Sequence, residues 1–194
     1  MIWVNDIIQG ILLGGLYALF AAGLSLVFGV MRLVNLAHGD FSIMAAYIAL
    51  VIVGSLKINP FYTLLLVMIV MALFGYLIQR GLFNFAMDAG PMQAILATFG
   101  IAIIIQNLLL EGFTANSKGL DAGRIENAVI TISDQVAIGW FPLTTLIVSV
   151  VVLFGLQLFL SRTRTGRAFR ATADNQRAAQ LMGIDNRHLY GMAM

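Results

Sequence analysis

The sequence predicts an all-α fold: a polytopic transmembrane helical bundle of about five spans plus the start of a sixth, with a basic helical loop on one face. Three observations predict it. Hydrophobic residues make up 60% of the 194 positions and charged residues 10%, against roughly 45–50% and 25% in an ordinary soluble domain. A single soluble core of this size cannot hide that much apolar surface, whereas a bilayer can. The apolar residues fall in charge-free runs close to the ~20 residues a helix needs to cross. Finally, Arg162, Arg164, Arg167, Arg170 and Arg177 crowd together just after the last long run.

The first span is Ile7 to Met31. It is too long for the apolar region of a signal peptide and no Lys or Arg precedes it, so it is read as a retained span. Small residues recur along it at Gly10, Gly14, Ala18 and Ala22, and Gly15 and Gly23 widen the stripe. Such stripes let helix backbones approach closely in lipid, so these are helix-packing positions, inside the bundle or at a subunit interface.

The second span, Phe41 to Leu56, is short and continuous with a polar stretch, Asn35-Leu-Ala-His-Gly-Asp40. Two readings fit that stretch. It is a broken helix lining a translocation path, where free helix-end N–H and C=O groups suit a zwitterion. Or it is an inner-face loop in which Asp40 or Asn35 caps the next span. His38 and Asp40 also have the chemistry of a proton relay, but one His and one Asp do not make a metal site.

The third span is Phe61 to Gln79 and the fourth about Pro91 to Leu110. Gln and Asn are costly facing lipid, so Gln106 and Asn107, with Thr98 and Gly100, should face other helices, either bonding across them or lining a polar path. The substrate-path candidates are therefore Asn35, His38, Gly39, Asp40, Thr98, Gln106 and Asn107. The segment Glu111 to Gly139 has mixed charge and an alternating patch from Ala128 to Ile132, read as a small hairpin or a plain loop. The fifth span is Trp140 to Leu160. A sixth begins near Leu189, and the ending Gly191-Met-Ala-Met reads as that of a sequence continuing into further helices, so that 1–194 is a single but incomplete transmembrane domain.

Loops on the cytoplasmic side carry an excess of Lys and Arg. Placing 161–188 inside puts Arg32, Arg80, Arg162, Arg164, Arg167, Arg170, Arg177 and Arg187 inside. Only Lys57, Lys118 and Arg124 fall outside, and the N-terminus is outside. Within Ser161–Asp185, Thr163 and Thr165 have N-cap chemistry, Asp174-Asn175 divides the segment into two short helices, and Gly183 stops the second. Arg167, Arg170, Asp174 and Arg177 recur at helical spacing. Phe169, Ala173, Leu181 and Met182 are the apolar residues that would enter a partner's groove. The alternative is a basic surface helix lying on anionic lipid.

Two stretches carry a family resemblance. TRTGRAFRATADNQRAAQLMGID, from Thr163 to Asp185, resembles the cytoplasmic loop of LivH-type permeases of ABC importers for branched-chain amino acids. GLYALFAAGLSLVFGVMRLVNLAHGDFSIMAAY, from Gly15 to Tyr47, resembles the N-terminal signature of the same family. Thr98-Phe-Gly100 and Gln106-Asn107 also match family patterns, while Lys118 to Trp140 carries no motif. The resemblance implies that the basic segment is a coupling loop meeting the ATPase, with candidates Gly166, Arg167, Arg170, Asp174, Ala178, Ala179 and Gly183. The broader importer pattern is E-A-A followed by Gly, and Arg177 stands here where the Glu is expected.

The resemblance further implies ABC ATPase subunits as partners, carrying ATP and Mg, and an extracytoplasmic substrate-binding protein. It implies a second homologous permease (LivM-type) or a second copy of this chain, and a bacterial inner membrane. Branched-chain amino acids, urea and short amides are all substrates within the resembled family. The chain itself offers no catalytic residues: it has no phosphate-binding Gly-rich loop with Lys, no paired carboxylates in a span, and no cysteine. It is not read as an enzyme, no cofactor or metal is expected on it, and its basic residues do not call for nucleic acid. Two readings of other classes stay beside the permease: an ATP-independent secondary transporter or channel using His38 and Asp40, and a non-transporting assembly protein.

Overall fold

The structure, a computed structural model, describes residues 2–57, 60–114, 116, 119, 129–133 and 136–194. The described chain is of the all-α polytopic class. Among the described residues, five helices are long and apolar enough to cross a membrane: Trp3–Met31, His38–Leu56, Tyr62–Ala89, Pro91–Phe113 and Trp140–Arg162. Within them lie α1 (Ile2–Met31), α2 (His38–Leu56), α3 (Pro60–Ile78), a π-helical turn (Gln79–Phe83), α4 (Asn84–Ala89), α5 (Pro91–Phe113) and α6 (Trp140–Arg162). Three short helices follow, α7 (Arg164–Asp174), α8 (Gln176–Leu181) and α9 (Asn186–Ala193). Contacts group the chain into two compact units, Met1–Ser25 with Asp121–Arg167, and Leu26–Leu120 with Ala168–Met194.

In the first unit, the close helix approach is made at Gly15, where an added Cβ would sit 3.2 Å from Leu146 Cα. Gly10 and Gly14 have nothing within 4 Å of such a Cβ, and Ala18 is exposed while Ala22 is half-buried. Two strands, β1 (Val129–Ser133) and β2 (Val136–Gly139), pair antiparallel, with Val129 opposite Gly139 and Ile130 opposite Ile138. The hairpin reading of this segment therefore holds over these residues. Ala128, Lys118 and Arg124 lie outside the described residues.

In the second unit, the stretch 80–90 that the sequence leaves between the third and fourth spans is not a loop. The helical run from Pro60 continues through the π turn and α4 to Ala89. Nothing in that run breaks a helix. Its polar members face α9, as shown below, so their polarity does not end it. The chain turns only at Gly90, whose φ of 134° suits glycine, and Pro91 then starts α5 with its ring at the first helical position. Leu64, Leu65, Met68, Ile69 and Leu73 are exposed along α3, as in a helix that is apolar all round and solvated by lipid.

At roughly 1.5 Å per residue, α2 is about 28 Å long, near the ~30 Å of a bilayer core. By the same rise the π turn lies about 28 Å along the Pro60 run, level with the start of α2. Packing agrees, since Ala37, Phe41, Phe83, Ala102 and Ile105 share one buried cluster, with Met44, Phe74, Ile78 and Met194 around it. The rings of Tyr47 and Phe113 meet at 4.5 Å, so α2 and α5 run parallel. α4 and the first turns of α5 then extend past the start of α2.

Candidate functional site: a helix break joined to a basic elbow

α1 ends at Met31 because Arg32 takes a left-handed conformation, φ 55°. The six residues to α2 are held by side chains rather than by a helix. Asn35, 3% exposed, accepts the Ala37 N–H on Oδ1 at 3.0 Å, a turn that Asn forms readily two residues back from the donor. The Leu36 N–H donates to Thr98 Oγ1 at 3.3 Å, and that hydroxyl donates in turn to the Ile95 carbonyl at 2.8 Å. Thr98 is fully buried and pins the break to α5. Asn35 Nδ2 also donates to Met194 Sδ at 3.5 Å.

The expectation that Asp40 or Asn35 caps the second span is not met. The cap position is Ala37, with no side-chain acceptor, because Asn35 spends its carbonyl on the turn. Asp40 lies in the first turn, where a carboxylate suits the helix dipole, and accepts from Gln106 Nε2 at 2.9 Å. Two separate bonds thus join this region to α5: Leu36 to Thr98, and Asp40 to Gln106 two turns further along. His38 opens α2 and has a buried Nε2 that lacks a hydrogen-bond partner among the described residues, and Gly39 is exposed. Asn107 Nδ2 donates instead to the Ile103 carbonyl of its own helix. Among the described residues no three His, Asp or Glu side chains form a metal set.

The elbow is built from local caps. Thr163 Oγ1 accepts the Gly166 N–H at 2.9 Å and starts α7, while Thr165, the other candidate cap, lies inside the helix. Gly166 is buried against Phe159 and Leu160, whose backbones leave no room for a Cβ. Asn175 Oδ1 accepts from the N–H groups of Arg177 and Ala178 at 3.1 and 3.0 Å, so α8 starts afresh and Arg177 does not continue the face of Arg167, Arg170 and Asp174. α8 closes with Gly183 at φ 85°, the Gly183 N–H reaching the Gln180 carbonyl and the Ile184 N–H reaching the Ala179 carbonyl. This is the glycine-terminated C-cap.

The coupling candidates separate by exposure. Arg167, Arg170, Asp174, Ala178 and Gly183 are exposed, whereas Gly166 and Ala179 are buried. The apolar four expected to enter a groove divide too. Phe169 is 3% exposed and Ala173 half-buried, whereas Leu181 and Met182 are 89% and 83% exposed. Phe169 is taken up by packing within the chain, which leaves Leu181-Met182 as the exposed apolar tip.

Several residues that sequence reasoning passed over hold the elbow in place. Arg32 Nη2 donates to the carbonyls of Ala173 and Asp174 at 3.2 and 3.3 Å, and Gln176 Nε2 donates to those of Val30 and Met31 at 3.4 Å each. The buried Asn186 accepts from Thr172 Oγ1 at 3.3 Å and donates to the Gln176 carbonyl at 3.0 Å. α9 lies on α3 and α4. Arg187 pairs with Asp88, Asn84 Nδ2 reaches the Arg187 carbonyl at 3.5 Å, and the Tyr76 hydroxyl takes Arg80 Nη1 at 2.8 Å and meets His188 Nδ1 at 3.0 Å. Within the π turn, Gln79 is fully buried and donates to Asn84 Oδ1 at 3.0 Å. A sequence signal for this face existed: Tyr76, Arg80, Asn84 and Asp88 recur every four residues, the spacing of one helix face.

Comparison with known proteins adds the following. A family described as "Branched-chain amino acid transport system / permease component" matches residues 7–193. The Pseudomonas aeruginosa high-affinity branched-chain amino acid transport system permease protein BraD is 28% identical over 98% of this chain and 65% of its own length. The Escherichia coli K12 protein LivH, of the same description, is 25% identical over 94% of this chain and 63% of its own. The Bifidobacterium longum fructose import permease protein FruG is 33% identical over 75% of this chain and 44% of its own. The chain thus spans less than two thirds of the length of these curated relatives. No solved structure matches.

Proposed function

We propose a transport role from one premise: this chain belongs to the family of branched-chain amino acid transport system permease components. It is a multi-pass membrane protein, and in this reading it is the permease subunit of an ABC importer for branched-chain amino acids or a related small polar solute. An extracytoplasmic binding protein delivers the solute. Separate ATPase subunits, which carry ATP and Mg, drive the cycle, and a LivM-type permease or a second copy of this chain completes the path. The N-terminus faces out and residues 161–188 face the cytoplasm, at a bacterial inner membrane. Because the relatives include a fructose import permease, the solute is a question for the assay.

One observation carries the reading: the elbow has a bonded side and a free tip. Two large apolar side chains, Leu181 and Met182, stand exposed on an otherwise polar segment, as for a helix end that enters a partner's groove. Arg167 and Arg170 are exposed on α7 and add positive charge to the same segment. ATPase closure on nucleotide displaces the elbow. The helix break moves with it, and the seam around Asp40 and Gln106 changes access. There the Asp40 carboxylate and the Gln106 amide oxygen suit a solute ammonium, and the start of α2, uncapped by any side chain, suits a carboxylate.

The chain has no cysteine, so Met182→Cys supplies a single thiol. With the ATPase co-expressed, a nucleotide-sensitive crosslink from that thiol is expected. A thiol that labels from the cytoplasm and never crosslinks, together with uptake that survives ATP depletion under an ion gradient, would replace this reading with an ATP-independent transporter. Uptake of leucine, urea and fructose by the same complex sorts the substrate class.

A further inference from the structure

The last carbonyls of a helix have no partner within it, and in this chain two helix ends solve that problem for each other. The final carbonyls of α7, at Ala173 and Asp174, receive Arg32 Nη2. Those of α1, at Val30 and Met31, receive Gln176 Nε2. Each donor stands at the boundary of the opposite element: Arg32 immediately follows α1, and Gln176 opens α8 just past α7. A guanidinium at a helix C-terminus is also favoured by the helix dipole.

The backbone adds a second argument. Arg32 is held in the left-handed region, φ 55°, where a long side chain is uncommon and which persists only where the surroundings over-determine it. Glycine would take that conformation freely. What arginine gains at this position is its bond to the elbow. Gln176 is fixed from behind, its carbonyl taking Asn186 Nδ2 at 3.0 Å. On the other side of the break, Leu36 is bonded to Thr98 of α5. A continuous set of contacts therefore runs from the elbow through Arg32 and the break to the helix that carries Gln106.

We propose that Arg32 and Gln176 are positioning residues forming a two-way clasp, which makes the elbow and the α1–α2 break one lever, so that a displacement of the elbow is delivered to the polar seam of α2 and α5. The clasp stays closed through the cycle and transmits the motion. It rests on the reading of the elbow as the ATPase contact.

The test uses the full-length protein assembled with its ATPase and binding-protein partners in proteoliposomes, with solute moved per ATP hydrolysed as the readout. A fold held merely more loosely would lower both quantities together and leave their ratio alone. Arg32→Cys with Ala173→Cys removes the guanidinium and places two thiols in a chain that has no other. The ratio is expected to fall by about tenfold, the effect of losing hydrogen bonds from a charged group. Bridging the thiols with a short bifunctional reagent is expected to restore it. A ratio unchanged before bridging, or not raised by bridging, overturns the clasp. If the double variant does not assemble unbridged, Arg32→Lys, which keeps a charged donor, decides the matter. It should lower the ratio about two- to threefold while hydrolysis continues, and an unchanged ratio overturns the proposal. Failure of the premise looks different: the unaltered complex would show no ATP-driven uptake at all. Hydrogen exchange at the break then judges the clasp, which is overturned if Arg32→Gly does not speed exchange of the Leu36 and Ala37 amides.

Discussion

The α1–α2 break and the elbow both interrupt helices, yet they start the helix that follows in different ways. The elbow uses neighbours in sequence: Thr163, Asn175 and Asp185 each cap the helix that follows, and Gly183 ends one. The break uses one neighbour, Asn35, for the Ala37 N–H, and residues far away in the chain for the rest: Thr98 for the Leu36 N–H and Gln176 for the last carbonyls of α1. Local caps make a segment that keeps its shape while it moves as a body. Distant partners make a segment whose shape depends on where other elements stand. A bracket joined to a conditional hinge is the arrangement a transmitted motion requires.

The comparison can be broken most severely at Gly166. A methyl there collides with the backbone of Phe159 and Leu160, neither of which can yield cheaply. Gly166→Ala should destabilise the turn into α7 by about 3 kcal/mol, read as a lowered melting temperature in detergent and poor membrane accumulation. Thr98→Val comes next. It keeps the shape and strands the Leu36 N–H, at about 2 kcal/mol, and Thr98→Ser should recover most of the loss. Asn175→Ala sharpens the contrast from the elbow side: a lost N-cap costs about 1 kcal/mol, visible in melting and confined to the elbow in hydrogen exchange. Leu181→Ala with Met182→Ala should change stability by less than about 0.5 kcal/mol, because exposed positions contribute little, while lowering ATP-driven uptake strongly. Asp88→Asn should be smallest of all. Its pair with Arg187 is well exposed on both sides, so no more than about 0.5 kcal/mol is expected, vanishing in high salt. If Asn175→Ala proved costlier than Thr98→Val, the distinction between bracket and hinge would fail.

The same contrast explains what the sequence made legible. The five spans, the division at Asp174-Asn175 and the stop at Gly183 were readable because apolar length and cap chemistry act over a few residues. Only the first hairpin strand showed in the sequence, through the alternation from Ala128 to Ile132, and that pattern suited a plain loop as well; Val136–Gly139 was not singled out. The helical continuation from Arg80 to Ala89 left only the four-residue spacing of Tyr76, Arg80, Asn84 and Asp88 as a signal, because polar residues between apolar runs also suit a loop. Asp40 and Gln106 were each readable as polar residues near apolar runs, but their pairing depends on the parallel register of α2 and α5. Arg32 was counted only as a charge on one side. Its bond to the elbow depends on a backbone conformation that composition does not announce. Along the small-residue stripe, Gly15 makes a close contact among the described residues, while Gly10 and Gly14 have nothing near an added Cβ.

The bonds of Arg32 span 141 and 142 residues of chain, and this has a consequence for biosynthesis. At about 5–20 residues per second, roughly 7–28 s separate the emergence of Arg32 from the ribosome and the arrival of its acceptors. Throughout that interval the end of the first helix waits in the nascent protein with Val30 and Met31 unanswered. The junction proposed to carry the motion is thus one that can close only after residues 173–176 have been made.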